Sequence, residues 1–326
     1  MEKIPFSLVS TCRNEMKSLP RWKQNVMDQT RQPDEIVIVD AFSDDGTYEY
    51  LCKWANEDNR VKLIQEKGAA AHGRNVAIEN ASFEHILSTD MGVRLAEVWC
   101  KELILPFESD ESVEVVAGNS CYDIDTIKSP FAWAEYYIEK GGFLKLGKGR
   151  EPGNRSVAYK KTIWLKLGKL PEDLSFYGDD QTFGRQMLQE KLKFAYASKA
   201  MTFWGRPVYR KDFYKEMYNY GKGDGEAFIK IPKAIKWYLS FNFPSAFVPF
   251  TSGLFNLIKR ISIQEFYNTA INKDIKTALN IFVLLFTRGY YHSKGYLIGL
   301  KYGNTKCIDC RARIIRDEKG YPKKII

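Results

Sequence analysis

Three acidic sites stand out by position. Residues 84–93 read EHILSTDMGV, an apolar run that ends in Asp90, with the flexible Gly92 two residues on. Residues 35–40 read EIVIVD, β-branched and apolar, and also end in an acid, Asp40. The third site is the pair Asp179 and Asp180 in the stretch FYGDD. An apolar run closed by an acid is how a buried parallel strand delivers a carboxylate to the open edge of a sheet, where α/β proteins hold ligands. Each site alone has a plainer explanation. Asp40 and Asp90 suit strand-end turns, and two acids opening a helix suit its dipole.

The elements around these acids are those of such a sheet. Residues 6–11 form a short apolar strand that runs into polar TCRNE. Ser18 is placed to cap a helix, with Pro20 in its first turn, that reaches about residue 29. A turn at 31–34 leads to the strand 35–40, and SDDGT at 43–47 gives a turn and cap for a helix to about 56. Strand 61–65, a helix opening at 67–75 and strand 85–89 follow. Alternation of this kind implies βαβ units and a mostly parallel sheet, with Thr11, Asp40 and Asp90 at its carboxyl edge. Beyond it the pattern predicts strands at 113–118, 156–159 and 194–197 and helices at 130–140, 161–167 and 179–190. Residues 141–153 carry five glycines with basic residues between them, the composition of a mobile lid.

A chain of 326 residues suffices for one large domain with an appendage. Aromatic residues are plentiful, 19 Tyr, 20 Phe and 7 Trp, as in a well-filled core or a sugar- or lipid-binding surface. Net charge is +9, and the last 26 residues hold eight Lys or Arg against three acids. No recognisable nucleic-acid motif accompanies that charge, so nucleic acid is not an expected partner. Cys12, Cys52, Cys100 and Cys121 are scattered singly, as in a reduced cytosolic protein. The lone CxxC at 307–310 lacks two further zinc ligands. No basic segment followed by an apolar one opens the chain, and no apolar run reaches the ~18 residues of a transmembrane helix. After about residue 230 the texture turns aromatic, apolar and basic, which predicts a helical extension over 231–326, either lying at a membrane interface or packing on the main domain.

The motifs, taken in order, resemble glycosyltransferase family 2. They are STCRNE at 10–15, the strand ending in Asp40, SDDGT at 43–47, GRN at 73–75, the strand ending in Asp90, NRSVAYKK at 154–161, and GDD at 178–180. The resemblance covers about residues 4–230, and YGKGDG at 220–225 is similar to a cell-surface polysaccharide subgroup. It implies an α/β GT-A fold, Rossmann-like with a mostly parallel central sheet flanked by helices, followed by the C-terminal helical extension. It also implies a UDP- or GDP-type sugar donor, a saccharide or lipid-linked acceptor, and inversion at the anomeric carbon; the scattered cysteines and the basic, aromatic C-terminal third add the expectation of a cytoplasmic protein, peripheral on the inner face of the plasma membrane. Carried over by residue, Thr11, Arg13 and Glu15 belong to the first nucleotide loop, Asp40 and Asp45 to the base pocket, and Arg74 to the nucleotide or its phosphates. Asp90 takes the first acid of the DXD motif, near ribose and metal. Asp179 and Asp180 match the acidic pair that supplies the catalytic base, with Asp180 the first choice.

The chemistry makes the same demands. A sugar hydroxyl is a poor nucleophile and needs a carboxylate within hydrogen-bond reach to take its proton. A diphosphate leaving group needs its charge neutralised by a cation, by arginine or lysine, or by a helix N-terminus. The chain departs from the family in that second part. Gly92 stands where the second DXD acid, the usual metal ligand, would be, and no histidine stands around 202–206, where the family often has one; the only histidines are at 72, 85 and 292. Two expectations follow. Either Mg²⁺ or Mn²⁺ binds weakly through Asp90 and the phosphates, or Arg74, Arg206, Lys148 or Arg150 replaces it. The incomplete motif also leaves a nucleotide-sugar-binding protein without transfer activity as the alternative reading. A nucleotidyltransferase of similar fold is disfavoured, because no glycine-rich basic signature follows the first strand.

Overall fold

A computed structural model describes residues 3–139, 142, 152–172, 174, 177–227, 274–303, 314–316 and 322–325. Its first half follows the alternation of the sequence. Strands β1 (Phe6–Cys12), β2 (Glu35–Asp40), β3 (Val61–Gln65) and β4 (His85–Ser88) run parallel in the order β3-β2-β1-β4, with α1 (Leu19–Met27), α2 (Thr47–Glu57) and α3 (Ala70–Glu79) between them. The register sets Cys12 beside Asp40 and Val9 beside Ser88. The loops after β1, β2 and β4 therefore leave from one edge. Successive strand residues face opposite sides. Leu8, Ile36, Ile38 and Leu87 enter one core with Trp22, Trp54 and Trp99. Val9, Val37, Val39 and Ile86 enter the other with Ile78, Trp164, Phe183 and Met187. Burial on both faces is why these strands read as unbroken apolar runs. Each such side chain contributes about 1.5–3 kcal/mol.

The second half completes a mixed sheet through β5 (Val93–Leu95), α4 (Trp99–Ser109), β6 (Val115–Tyr122), α5 (Pro130–Ile138), β7 (Val157–Lys160), α6 (Lys161–Lys166), α7 (Asp179–Gln189) and β8 (Phe194–Trp204). The full order is β3-β2-β1-β4-β7-β6-β8-β5. β7 lies antiparallel between β4 and β6, β8 runs parallel to β6, and β5 is antiparallel on the far edge. Two expectations change here. β8 continues seven residues beyond position 197, because β6 offers it partners as far as Tyr122↔Trp204 across a register shift near Gly118. β5 went unread, since three residues carry no periodicity. Ser18 also behaves differently. It already has helical angles, φ −100° and ψ −27°, and its hydroxyl donates to the Glu15 backbone carbonyl and carboxylate instead of capping α1.

Helices α8 (Arg210–Glu226) and α9 (Ile275–Gly303) form a third layer with α5. Phe131 and Ala134 of α5, Phe213 and Met217 of α8, and Ile281 and Leu284 of α9 share one cluster. Of the described C-terminal region, α9 thus packs on α5 and α8. Among the described residues no helix is long and apolar enough to cross a membrane. Residues 231–273, with most of the aromatic and proline-rich segment, the CxxC at 307–310 and most of the lid at 141–153 lie outside the described residues. The short strands β9 (Ile314–Arg316) and β10 (Pro322–Ile325) pair antiparallel.

α8 and α9 meet backbone to backbone. A Cβ at Gly295 would stand 1.9 Å from the Tyr218 carbonyl oxygen, and one at Gly221 would stand 1.9 Å from that of His292. Neither obstacle is a side chain that can swing aside. Gly295→Ala is therefore expected to cost at least the ~1–3 kcal/mol of an overpacked core, read as a lower midpoint in urea unfolding. An unchanged midpoint would mean that the helices have room to separate.

Candidate active site

Arg74 is the hub of the site. On α3, Ala71, Asn75 and Ile78 face inward at helical spacing. Asn75 fixes the helix to the chain that precedes α7: its Nδ2 donates to the Leu170 carbonyl, and its Oδ1 accepts from Leu170 N and Trp164 Nε1, all at 2.9 Å. One residue earlier, Arg74 projects over the sheet edge. Its Nη2 donates to Asp90 Oδ1 at 2.8 Å, and its Nη1 donates to Asp179 Oδ2. Asp90 follows β4 and also accepts from Asn154 Nδ2 at 3.4 Å. Arg155 Nε lies 4.0 Å from its second oxygen. One guanidinium thus joins two acids that are 89 positions apart in sequence (179 minus 90).

The acidic pair opens α7. Gly178 precedes it at φ +91°, a conformation that favours glycine, and packs against the backbone of Gly223 in α8. A Cβ at Gly223 would in turn stand 2.2 Å from the Tyr177 carbonyl oxygen. The YGKGDG segment at 220–225 is accordingly where α8 meets both α9 and the start of α7. Asp179 and Asp180 have different surroundings. Asp179 is buried, and burial pushes its carboxyl up to about 6, with Arg74 opposing and Asp180 and Asp90 adding to the rise. Asp180 is half-buried, accepting from the backbone N–H of Gln181 at 2.8 Å and of Asn154 at 3.3 Å. For Asp90, burial is outweighed by Arg74 and then Arg155, which hold its carboxyl below the usual range.

A cavity of about 590 Å³ opens over these groups. Arg74, Asp90, Arg155, Asp179 and Asp180 line its near side. Its far side is made by Tyr122 and Glu135, by Trp204 and Arg206, and by Arg288 and His292 of α9. Glu135 and Arg206 are buried and paired there, and Tyr122 Oη donates to Glu135 at 3.2 Å. Burial pushes the Glu135 carboxyl up, against the pull of Arg206. Arg288 pairs with Glu139, and His292 Nε2 lies 2.9 Å from Asp224. Of the replacement cations expected from the sequence, Arg206 is committed to Glu135 and Glu216, while Lys148 and Arg150 lie outside the described residues.

The residues assigned to the first nucleotide loop and base pocket collect elsewhere. Thr11, Arg13, Glu15, Asp40 and Asp45 follow β1 and β2, and none lines the cavity. Thr11 Oγ1 donates to the Val39 carbonyl at 3.0 Å. Asp40 is fully buried and holds its own turn, accepting from Ser43 N at 3.0 Å and Gln65 Nε2 at 3.3 Å. Asp45 accepts from Met16 N and Thr47 N, both at 3.1 Å, which ties the two loops together. Arg13 is exposed. Glu15 faces Gly92: a Cβ there would lie 3.5 Å from its carboxylate. Burial pushes the Glu15 carboxyl up, with the Ser18 hydroxyl opposing.

Fold and site together define a GT-A glycosyltransferase architecture: a mostly parallel sheet whose carboxyl edge presents a strand-end acid, a helix-opening acid pair and a cavity between them. Residues 7–163, just under half of the chain, match glycosyl transferase family 2. A glycosyltransferase named GlyG from Streptococcus pneumoniae is 30% identical over 116 residues, which are 35% of this chain and 38% of that protein. The match thus spans well under half of the relative's length. Among solved structures, the mannosyltransferase PcManGT from Pyrobaculum calidifontis, in complex with GDP-Man and Mn²⁺, superposes with a TM-score of 0.54 at 18% identity. That superposition covers 93% of this chain and 87% of the other. S. aureus TarS 1–349 in complex with UDP gives 0.48 at 15% identity, covering 99% of this chain and 100% of that one.

The described residues alone do not make up a ligand set for a divalent cation. Among the described residues no group of three or more histidine, cysteine or acidic side chains is placed to hold a metal ion. Asp90, the acid expected to bind one, is instead paired with Arg74 and faced by Arg155. Sequence reasoning missed Arg155, Glu135, Arg288 and His292 as site residues. For Arg155 the signal was its place in NRSVAYKK; for the other three there was none in the local pattern.

Asp179 offers a direct check. Its native carboxyl titrates above the ordinary value of about 4, so the folded state holds the extra proton between about 4 and 6. The stability this group contributes is therefore largest below that window and is lost as pH rises through about 6. Carbon NMR of labelled aspartate should show a midpoint near 6, displaced upward in Arg74→Gln, where the opposing charge is gone. A midpoint near 4 in wild type would mean that Arg74 offsets the burial of Asp179 in full.

Proposed function

We propose that the chain is an inverting glycosyltransferase that moves a sugar from a nucleoside-diphosphate donor, of UDP or GDP type, to a hydroxyl of a glycan or lipid-linked saccharide. One observation carries the assignment of the base. Of the two acids that open α7, Asp179 is buried and paired with Arg74, whereas Asp180 is half-buried on the cavity wall. The acceptor hydroxyl oxygen attacks the anomeric carbon while Asp180 takes its proton. The bond from that carbon to the diphosphate oxygen breaks, and the leaving group departs with the electron pair. Attack from the face opposite the leaving group inverts the anomeric carbon. Arg74 acts as a positioning residue, holding Asp179 and Asp90 on either side of the reaction centre. The loops after β1 and β2, with Thr11, Arg13, Glu15, Asp40 and Asp45, take the nucleotide. The family assignment and the GDP-Man bound by the similar mannosyltransferase support that donor class. No step is assigned to a metal, since the described residues alone do not make up a ligand set for one.

The domain assignment belongs to the same proposal: a catalytic domain over 1–230 with a helical extension that contributes α9 to the cavity wall. Location on the cytoplasmic face of a membrane follows from the scattered free cysteines and the basic C-terminal composition. Gly92 favours one second reading, a nucleotide-sugar-binding protein without transfer. A binder needs no base, so one substitution separates the two. Asp180→Asn should lower the kcat of transfer, or of donor hydrolysis when no acceptor is supplied, by about 10²–10⁴-fold. A variant as active as wild type would remove Asp180 from the role. Absence of turnover in wild type across UDP- and GDP-sugars and a saccharide panel would favour the binder.

A further inference from the structure

Four arginines line the cavity, and they differ in how far their charge is already used. Arg74 is divided between Asp90 and Asp179, Arg206 between Glu135 and Glu216, and Arg288 pairs with Glu139. The side chain of Arg155 makes a single hydrogen bond among the described residues, from Nη2 to the Tyr220 hydroxyl at 3.2 Å, and its nearest acid oxygen among them stands 4.0 Å away. Its guanidinium carbon lies 4.5 Å from the centroid of the Trp204 ring, a cation–π contact that holds the head group in place. A planar guanidinium carries five N–H donors. Among the described residues most of those on Arg155 have no acceptor, on a side chain only 30% exposed, at the wall of a cavity it shares with Asp90 and Asp180. A half-buried cation held by an aromatic ring, with donors to spare, is arranged for an anion with paired oxygens.

We propose that Arg155 is the residue that takes the diphosphate of the nucleotide donor, and that this binding does not depend on a divalent cation. The inference rests on the donor reading above and says how the leaving group's charge is met. Two features of the same edge point the same way. Gly92 leaves out one carboxylate, and an acid at that position would have stood close to Glu15. Asp90, the remaining acid, is neutralised by Arg74. Arg155 presents its charge beside this pair, with Asp90 Oδ2 at 4.0 Å the nearest carboxylate oxygen among the described residues. Arg155 is thus the binding residue, and Trp204 and Tyr220 position it.

Isothermal titration of the full chain with UDP and with GDP, in EDTA and in Mn²⁺, tests this. The expected result is that one of the two diphosphates binds wild type in EDTA within about threefold of its affinity in Mn²⁺. Arg155→Gln should weaken that binding about 10- to 100-fold, the range for a lost charge-assisted hydrogen bond. Arg155→Lys, which keeps the charge but not the fork, should fall between them. It also carries the test if thermal melting shows the glutamine variant unfolded. Binding that drops about tenfold or more in EDTA, or that is unchanged in both variants, overturns the inference while leaving the donor reading intact. Failure of both diphosphates to bind wild type under either condition overturns the donor reading and the inference together.

Discussion

One buried guanidinium holds the site in shape. Arg74 is 11% exposed and bridges a strand-end acid to a helix-opening acid. Neither acid would sit at this depth without it. Burial alone favours the neutral forms of both carboxyls, and the opposing charge of Arg74 keeps Asp90 ionised and Asp179 within reach of ionisation. Breaking a buried pair by removing one partner costs about 3–5 kcal/mol, because the remaining charge is stranded. The two acids can therefore occupy one site only while α3 keeps its register on the sheet. Asn75, next to Arg74 in sequence, fixes that register through its bonds to Leu170 and Trp164.

A second constraint is steric. α7 can bring Asp179 and Asp180 to the cavity only if its first turn lies against α8, and α8 can close the far side only if α9 lies against it. Both approaches are backbone on backbone, at Gly178 and Gly223 in the first case and at Gly221 and Gly295 in the second. The segment YGKGDG, which the sequence presents as a family signature, is in three dimensions a packing surface with glycines on two sides. Asp224 between them reaches His292 of α9. The helix that reads as an interfacial appendage is in this way part of the wall of the cavity.

Much of the near half of the site was legible in advance. Asp90 is the acid at the end of a buried strand, Asp179 and Asp180 open a helix, and Arg74 lies in a short motif beside them. Each of these signals is local: an apolar run, a cap, a helical spacing. The far half was not legible. Glu135 and Arg206 are separated by 71 positions and become a pair only because α5 and the end of β8 are brought together. Arg288 and His292 lie beyond the segment that matches the family. The length of β8 was missed for the same reason, since a strand lasts as long as its neighbour supplies partners.

By itself, the sequence determined the class of fold and the acids that line the cavity, because strand burial and helix opening are written in the spacing of neighbouring residues. It also showed that the second acid of the metal-binding motif is Gly92. Only the tertiary structure decided what stands in its place. Arg74 draws Asp90 into a pair, and Arg155, held against Trp204, makes one side-chain hydrogen bond among the described residues at the wall of the same cavity. The reason is that charge compensation acts through space. Whether an acid is available to a metal, a proton or an arginine depends on which distant element carries the opposing charge to within about 4 Å, and no pattern of neighbours records that.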